Sequence, residues 1–484
     1  MKWKPLLFFI HRWIGIFTCL LFALWFASGI VMMYVEYPEL TAEERIKNAF
    51  PIEFPQLNLS PSEAFTSIES TSSISSLTLT SVLGRPAYLA RLQDQGLVTV
   101  FADDGYTLRG LGQDEATNAT KNSGYALTQI NPSYGGLITR DQWTVSSSLH
   151  PYRPLHKVFL NDSEETVLYV SDVTGTVVRD TDQQERFWNW VGSTIHWIYP
   201  VQLRQFENFW IQLIIVVSCI GIVSVVTGGI IGFMRIRILR PYRGNDVSPY
   251  EGIMKWHHIL GLGSLIFVFT FIFSGLMSMG PWGIFESPSS ASEQIRRYRG
   301  GSTVDLRALP GLDPQLESMS VAEVEWTSVS GSYYYIATLS NGEKLIDFGN
   351  GLEHGSRDLK IAIGAAVPQL IPSAAILQTE ILDQFDNYYY SRHNRYRPLP
   401  ALRVKFDDSE STWHHIDSIT GEPISRVTNR SRMERWMYYG LHSFDFHALW
   451  SRRPLWDIFV ITLSLLGLGF SVTSVVIGWR RLVK

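Results

Sequence analysis

The chain has 484 residues, 45% hydrophobic and 18% charged, with a formal net charge of −4. That length is too great for one ordinary core and predicts several domains, while the absence of any basic domain or stripe excludes a nucleic-acid partner. Its two cysteines, Cys19 and Cys219, both stand inside apolar runs and supply neither a disulfide framework nor a thiolate metal site.

Residues 13–35 carry no charge until Glu36 approaches and are long enough to cross a hydrocarbon core of ~30 Å. The run is too long for a signal-peptide apolar region, and no small-residue cleavage site follows it, so the segment reads as a retained span. Further spans are expected at 209–234, 257–280 and 456–479. Lys2, Lys4 and Arg12 precede the first, Arg235, Arg237, Arg240, Arg243 and Lys255 crowd the link between the second and third, and Arg480, Arg481 and Lys484 follow the fourth. Cations concentrated in short segments mark the inner face, against the smaller outer pair Arg452 and Arg453. Both termini are therefore expected in the cytoplasm, with two large regions outside.

The first outer region, 36–206, opens with a short helix at PSEAFTSI. Strands follow at SLTLTSV, AYLARL and LVTVFA, then at KVFL and TVLYV before a turn at SDVTG. The second, 281–455, answers with SYYYIATL, RVKF, TWHHID and a turn at SITG. Each region ends in an amphipathic helix, starting near Asp182 or Ser431, with Glu185 or Glu434 at capping-box spacing. The expected division is a first transmembrane helix at 1–35, the first outer region, a second helix at 207–235 and a cytoplasmic link at 236–256. A third helix at 257–280, the second outer region, and a fourth helix with its tail at 456–484 complete it.

The chain repeats itself. His11 with Gly15 opens a run that closes on Ser28 and Gly29; His257 with Gly261 opens one that closes on Ser274 and Gly275. The offset, 257 − 11 = 246, recurs between His196 and His442, Gly175 and Gly421, and Gly232 and Gly478. The motif YRPL at 152–155 returns at 396–399, an offset of 244. Each half holds an even number of spans, so the halves enter the membrane alike and are expected to be related by a pseudo-two-fold axis along its normal. Such an axis pairs His11 with His257 near the inner face and His196 with His442 near the outer one. Histidines at the two ends of a span of ~20 residues are ~30 Å apart and cannot share an iron.

Neutral imidazole is a good haem ligand, and ionisable groups within a membrane are costly enough to suggest function. The expectation is two b-type haems, each held by two histidines, because no C-x-x-C-H attachment motif is present. Interfacial histidines bonded to carbonyls are the plain alternative. His258 and His447 are rival ligands that break the repeat, and Trp13, Trp25 and Trp197 stand where they could wall a porphyrin or form an interfacial belt. No carboxylate or thiolate has a spacing suited to zinc or copper beside these histidines.

HRWIG with SG closing the first span, HHILG with SG in the third, and a helix ending in LH before the fourth resemble the PepSY-associated transmembrane family of bacterial iron uptake. YRPL, FDD and ITG across 396–421 resemble its PepSY modules, whereas TIHWIYP around His196 departs from the LH form. The resemblance covers nearly the whole chain. It implies an inner-membrane, four-helix bundle of two pseudo-symmetric halves with periplasmic α+β PepSY-like domains. It also implies, as in some members, reduction of ferric siderophores with haem, with His11, His196, His257 and His442 as the family histidines.

No dinucleotide fingerprint or P-loop appears, so electrons are expected from quinol or a separate reductase. The segments LHPYRPLH (149–156) and NYYYSRHNRYRP (387–398), with His150 and Arg395, are candidate contacts for an anionic chelate; no catalytic residue is assigned. A PepSY-type binding or regulatory membrane protein without redox activity is the alternative. A transporter ranks behind both, because four spans leave little room for a path.

Overall fold

The structure, a computed structural model, describes residues 3–66, 73–121, 124–127, 131–392 and 396–483. Four helices in it are long and apolar enough to cross a membrane: α1 (Trp3–Met32), α2 (Glu207–Arg235), α3 (Gly252–Met277) and α4 (Leu455–Leu482). The shortest has 26 residues, about 39 Å at ~1.5 Å per residue, which exceeds a ~30 Å hydrocarbon core. These helices are hydrophobic on every side. Ile266 is 82% exposed, Phe17 72% and Phe233 66%, an outward surface that suits lipid and not water. The helix α1 begins ahead of the uncharged run, so Lys4, His11 and Arg12 are all within it. Lys2 and Lys484, invoked for sidedness, and Arg395 lie outside the described residues.

Around the bundle, α1 packs against α2 and α4, and α3 packs against the same two. That places α1 and α3 on a diagonal. Small residues allow the close approach expected between helices in lipid. A Cβ on Gly467 would lie 2.5 Å from the Phe26 ring, and one on Gly232 would lie 2.6 Å from a Leu262 methyl. The apolar centre contains Phe22, Phe26, Val225, Val268 and Ile272.

The sheet-rich regions contain fourteen strands among the described residues. The first contributes β1 (Ile74–Val82), β2 (Arg85–Leu92), β3 (Gly96–Phe101), β4 (Ser133–Ile138), β5 (Leu155–Phe159), β6 (Val167–Ser171) and β7 (Val177–Thr181). The second contributes β8 (Val321–Val329), β9 (Ser332–Leu339), β10 (Lys344–Asp347), β11 (Ile376–Leu382), β12 (Ala401–Phe406), β13 (Trp413–Asp417) and β14 (Pro423–Val427). Two four-stranded sheets, β4-β5-β6-β7 and β11-β12-β13-β14, each belong to one region. The third sheet does not. Its order β10-β9-β8-β1-β2-β3 draws three strands from each region, joined antiparallel at β1 and β8.

Alternating apolar residues produce that seam. Leu77, Leu79, Val324 and Trp326 turn to one buried core with Tyr88 and Tyr335. In the pairing, Thr78 faces Glu325 and Leu79 faces Val324. Adding 246 to each β1 residue gives the partner of the other: 78 + 246 = 324 and 79 + 246 = 325. The hairpins on either side turn on Leu83–Gly84 and Ser330–Gly331, all four at positive φ, the conformation that suits a two-residue hairpin loop.

Short helices lead each region back to the bundle. The helix Gln183–Asn189 is capped by Asp182, whose carboxylate accepts the Glu185 N–H at 2.8 Å. Its counterpart, Asn429–Glu434, starts earlier than the Ser431 expected from sequence. Thr428 is the cap, and Ser431 is the third helical residue that completes a reciprocal capping box with it. Both helices then widen into π-helical turns, Trp190–Thr194 and Arg435–Gly440. Such insertions often occur at functional sites. Here each one immediately precedes a histidine of interest.

Candidate functional site

His11 is on α1 and His257 on α3, so the diagonal of the bundle points the two rings at each other. Their centroids are 6.3 Å apart. His196 follows the first π turn and His442 the second, with ring centroids 6.0 Å apart. The two pairs are well separated along the bundle. A Cβ on Gly29 would lie 3.2 Å from His196 Cε1, and Gly29 is 29 − 11 = 18 residues beyond His11 on the same helix, about 27 Å.

The four rings share a hydrogen-bonding pattern. His11 Nδ1 is 3.1 Å from the Ser224 carbonyl oxygen. His196 Nδ1 is 3.1 Å from the Trp25 carbonyl and 3.2 Å from Ser28 Oγ. His442 Nδ1 is 3.2 Å from the Phe271 carbonyl and 2.9 Å from Ser274 Oγ. His257 Nδ1 lies 3.3 Å from Thr473 Oγ1 and 3.2 Å from Ser474 Oγ. Carbonyls only accept. The hydroxyls also face Nδ1 as acceptors, because Ser28, Ser274, Thr473 and Ser474 donate their own hydrogens to helix carbonyls. Nδ1 therefore carries the proton in each ring. Among the described residues no protein group bonds any of the four Nε2 atoms, and each keeps a lone pair. A ring nitrogen bonded to a carbonyl or hydroxyl, with the other free, is the arrangement that orients a histidine ligand.

Glycines make room for these rings. A Cβ on Gly228 of α2 would lie 2.6 Å from His11 Cε1, closer than carbon atoms approach. On the other side His257 stacks on Phe470, with centroids 5.1 Å apart.

The rival residues are placed differently. His258 has both nitrogens bonded within the protein, Nδ1 to Ser248 Oγ at 2.8 Å and Nε2 to the Gly232 carbonyl at 3.0 Å, which leaves no free lone pair. His447 begins a separate short helix and lies edge-on against Trp450. Trp25 donates to the His196 carbonyl at 2.8 Å and so fixes that backbone, while Trp13 faces outward and Trp197 packs with Tyr37 and Tyr199. His150 meets Arg140. Thr227 Oγ1 also lies 3.5 Å from His11 Nδ1. The sequence marks Ser28, Ser274 and Trp25 but not their role as Nδ1 partners, although Ser28 and Ser274, Trp25 and Phe271, and Thr227 and Thr473 all stand 246 apart.

Two imidazoles facing each other with free Nε2 atoms can grip one metal ion from opposite sides. At metal–nitrogen distances of about 2 Å, such a clamp puts ring centroids about 6 Å apart. Zinc would need at least one more protein ligand. Among the described residues, no group of three or more His, Cys, Asp or Glu is placed to hold a metal ion. A macrocycle that brings its own four equatorial donors matches the two-histidine set.

The fold and site thus define a membrane protein whose four-helix bundle carries two facing histidine pairs beneath sheet-rich domains. Residues 8–481 match the model of the family described as the PepSY-associated TM region, and the chain belongs to that family. No curated protein matches it.

Proposed function

We propose that the chain is an inner-membrane electron-transfer protein that holds two b-type haems and reduces ferric siderophores in the periplasm to release iron. His11 with His257 would bind one haem near the cytoplasmic face, and His196 with His442 the other near the periplasmic face. The observation that carries this reading is the geometry of the two pairs: centroid separations of 6.3 and 6.0 Å, Nδ1 atoms bonded, Nε2 atoms free. Bound there, haem would supply reversible one-electron chemistry at its iron.

The chain's own residues would hold and shield that group. Backbone carbonyls and hydroxyls accept the Nδ1 hydrogens and hold each imidazole in one tautomer and one plane. Phe22, Phe26, Phe271 and Phe470 line the apolar centre and exclude water from it. The cations Arg235, Arg237, Arg240, Arg243, Arg480 and Arg481 support a cytoplasmic location for the termini and short link, with the sheets in the periplasm. The repeated offset, in the β1–β8 register and in the histidine bonds, supports two pseudo-symmetric halves about an axis along the membrane normal. Quinol or a separate reductase would be the electron donor. Reduction favours release because siderophore oxygens are hard ligands, better matched to ferric than to ferrous iron.

Purified protein should show a Soret band, with α and β bands that sharpen on reduction by dithionite. Ferric siderophores should reoxidise it. A colourless protein would leave a PepSY-type binding or regulatory role without redox activity.

A further inference from the structure

Beside the histidine pairs, the segments around residues 140, 150 and 204 bring three arginines and a histidine together. Arg140 follows β4, His150 and Arg153 flank the end of the turn Ser147–Tyr152, and Arg204 ends the short helix Val201–Arg204, three residues ahead of α2. Arg140 Nη2 donates to His150 Nε2 at 3.2 Å, and its Nη1 donates to the Gln205 carbonyl at 3.4 Å. Arg153 donates to the carbonyls of Thr144 and Ser146.

Carboxylates do not balance Arg140 or Arg153. Among the described residues, Glu207, 2.9 Å from Arg204, is the only acid ion-paired with any of the four. Asp141, next in sequence to Arg140, is bound instead by Lys157 at 3.0 Å and the Tyr169 hydroxyl at 2.7 Å. The buried Nε atoms of Arg140, Arg153 and Arg204 meet no acceptor among the described residues. Burial, together with the nearby Arg140, pushes Arg153 down to about 10, the direction expected of a cation lacking a counter-charge.

Guanidinium groups present planar donor pairs that match carboxylate and phosphate oxygens, and three of them together with one carboxylate partner are costly unless an anion joins them. We propose that Arg140, His150, Arg153 and Arg204 form an oxyanion site at the end of the bundle where α2 begins, taking a carboxylate or phosphate group. Its position gives that group two sources: the headgroup of an anionic phospholipid, or the acidic arm of a soluble chelate. The site rests on charge and geometry alone and stands apart from the haem reading.

The test uses the full chain in phosphatidylcholine nanodiscs. Citrate binding is measured by calorimetry at low and high salt, and retention of added phosphatidylglycerol by native mass spectrometry. The wild type should bind at least one probe, more weakly at high salt. Arg140→Gln combined with His150→Gln should weaken that binding at least tenfold, and Arg140→Lys should restore part of it. Citrate binding alone identifies a soluble ligand; phosphatidylglycerol retention alone identifies a lipid. The proposal is overturned if neither probe binds the wild type, or if the double variant binds as the wild type does. If the double variant does not fold, competition of inorganic phosphate with the bound probe on the wild type decides: displacement supports the site and no displacement overturns it.

Discussion

Each of the four histidines commits its Nδ1 to a partner inside the protein, while its Nε2 has no protein partner among the described residues and its ring lies within 6.3 Å of another histidine ring. The groups that hold Nδ1 therefore matter almost as much as the rings. Replacing Ser274 by Ala removes the 2.9 Å partner of His442 while leaving the Phe271 carbonyl. The expected result is haem binding weaker by about 10- to 100-fold at that pair, read by haem transfer to apomyoglobin, with the inner pair unchanged. Gly228→Ala acts on the opposite end. Its Cβ would collide with His11, so this variant should lose the inner haem and keep the outer one, a result that optical spectroscopy separates. The histidines themselves were legible in the sequence because they repeat at 246. Several of their hydrogen-bond partners repeat as well, but a serine or threonine in an apolar helix bonds its own preceding turn by default, and only the fold shows which ones also face a ring.

At the scale of elements, the strand block around SLTLTSV follows the alternation of apolar residues, while TWHHID forms a strand buried at four successive positions, His414 to Asp417. What alternation cannot specify is which strand lies beside which. The joining of β1 to β8 depends on contacts nearly 250 residues apart, and the local pattern would serve an edge strand equally well. The π turns were illegible for a related reason, since one extra residue in a helical turn leaves no mark on composition. Because the six-stranded sheet spans both regions, Leu79→Ala at the seam should destabilise them together. A cavity cost of about 2–5 kcal/mol is expected, seen as one shared shift in thermal unfolding; a shift confined to one region would contradict a common sheet. Glu325, beside that seam, makes it sensitive to pH. Burial, then the neighbouring Glu422 and Glu323, raise its carboxyl to about 7 from an ordinary 4.5. A raised acid contributes stability that is full below about pH 4.5 and lost as pH climbs through about 7. Glu325→Gln should therefore raise the melting temperature relative to wild type at pH 8 and change it little at pH 4.5.

For the whole molecule, four apolar runs and their flanking cations specify a membrane bundle from sequence alone, and the family match agrees with it. The arrangement of helices around the bundle is not written in any run, because helices that are apolar on every side carry no stripe to show which neighbour they face. The diagonal placement of α1 and α3 brings His11 to His257, and the return of both regions through π turns brings His196 to His442. The measurement that bears most directly on this account is the haem content of wild-type protein beside the His257→Ala variant. Two haems per chain falling to one, with a six-coordinate low-spin spectrum retained by the survivor, is the predicted result. A wild type without pigment, or a variant that loses both haems or neither, would contradict it.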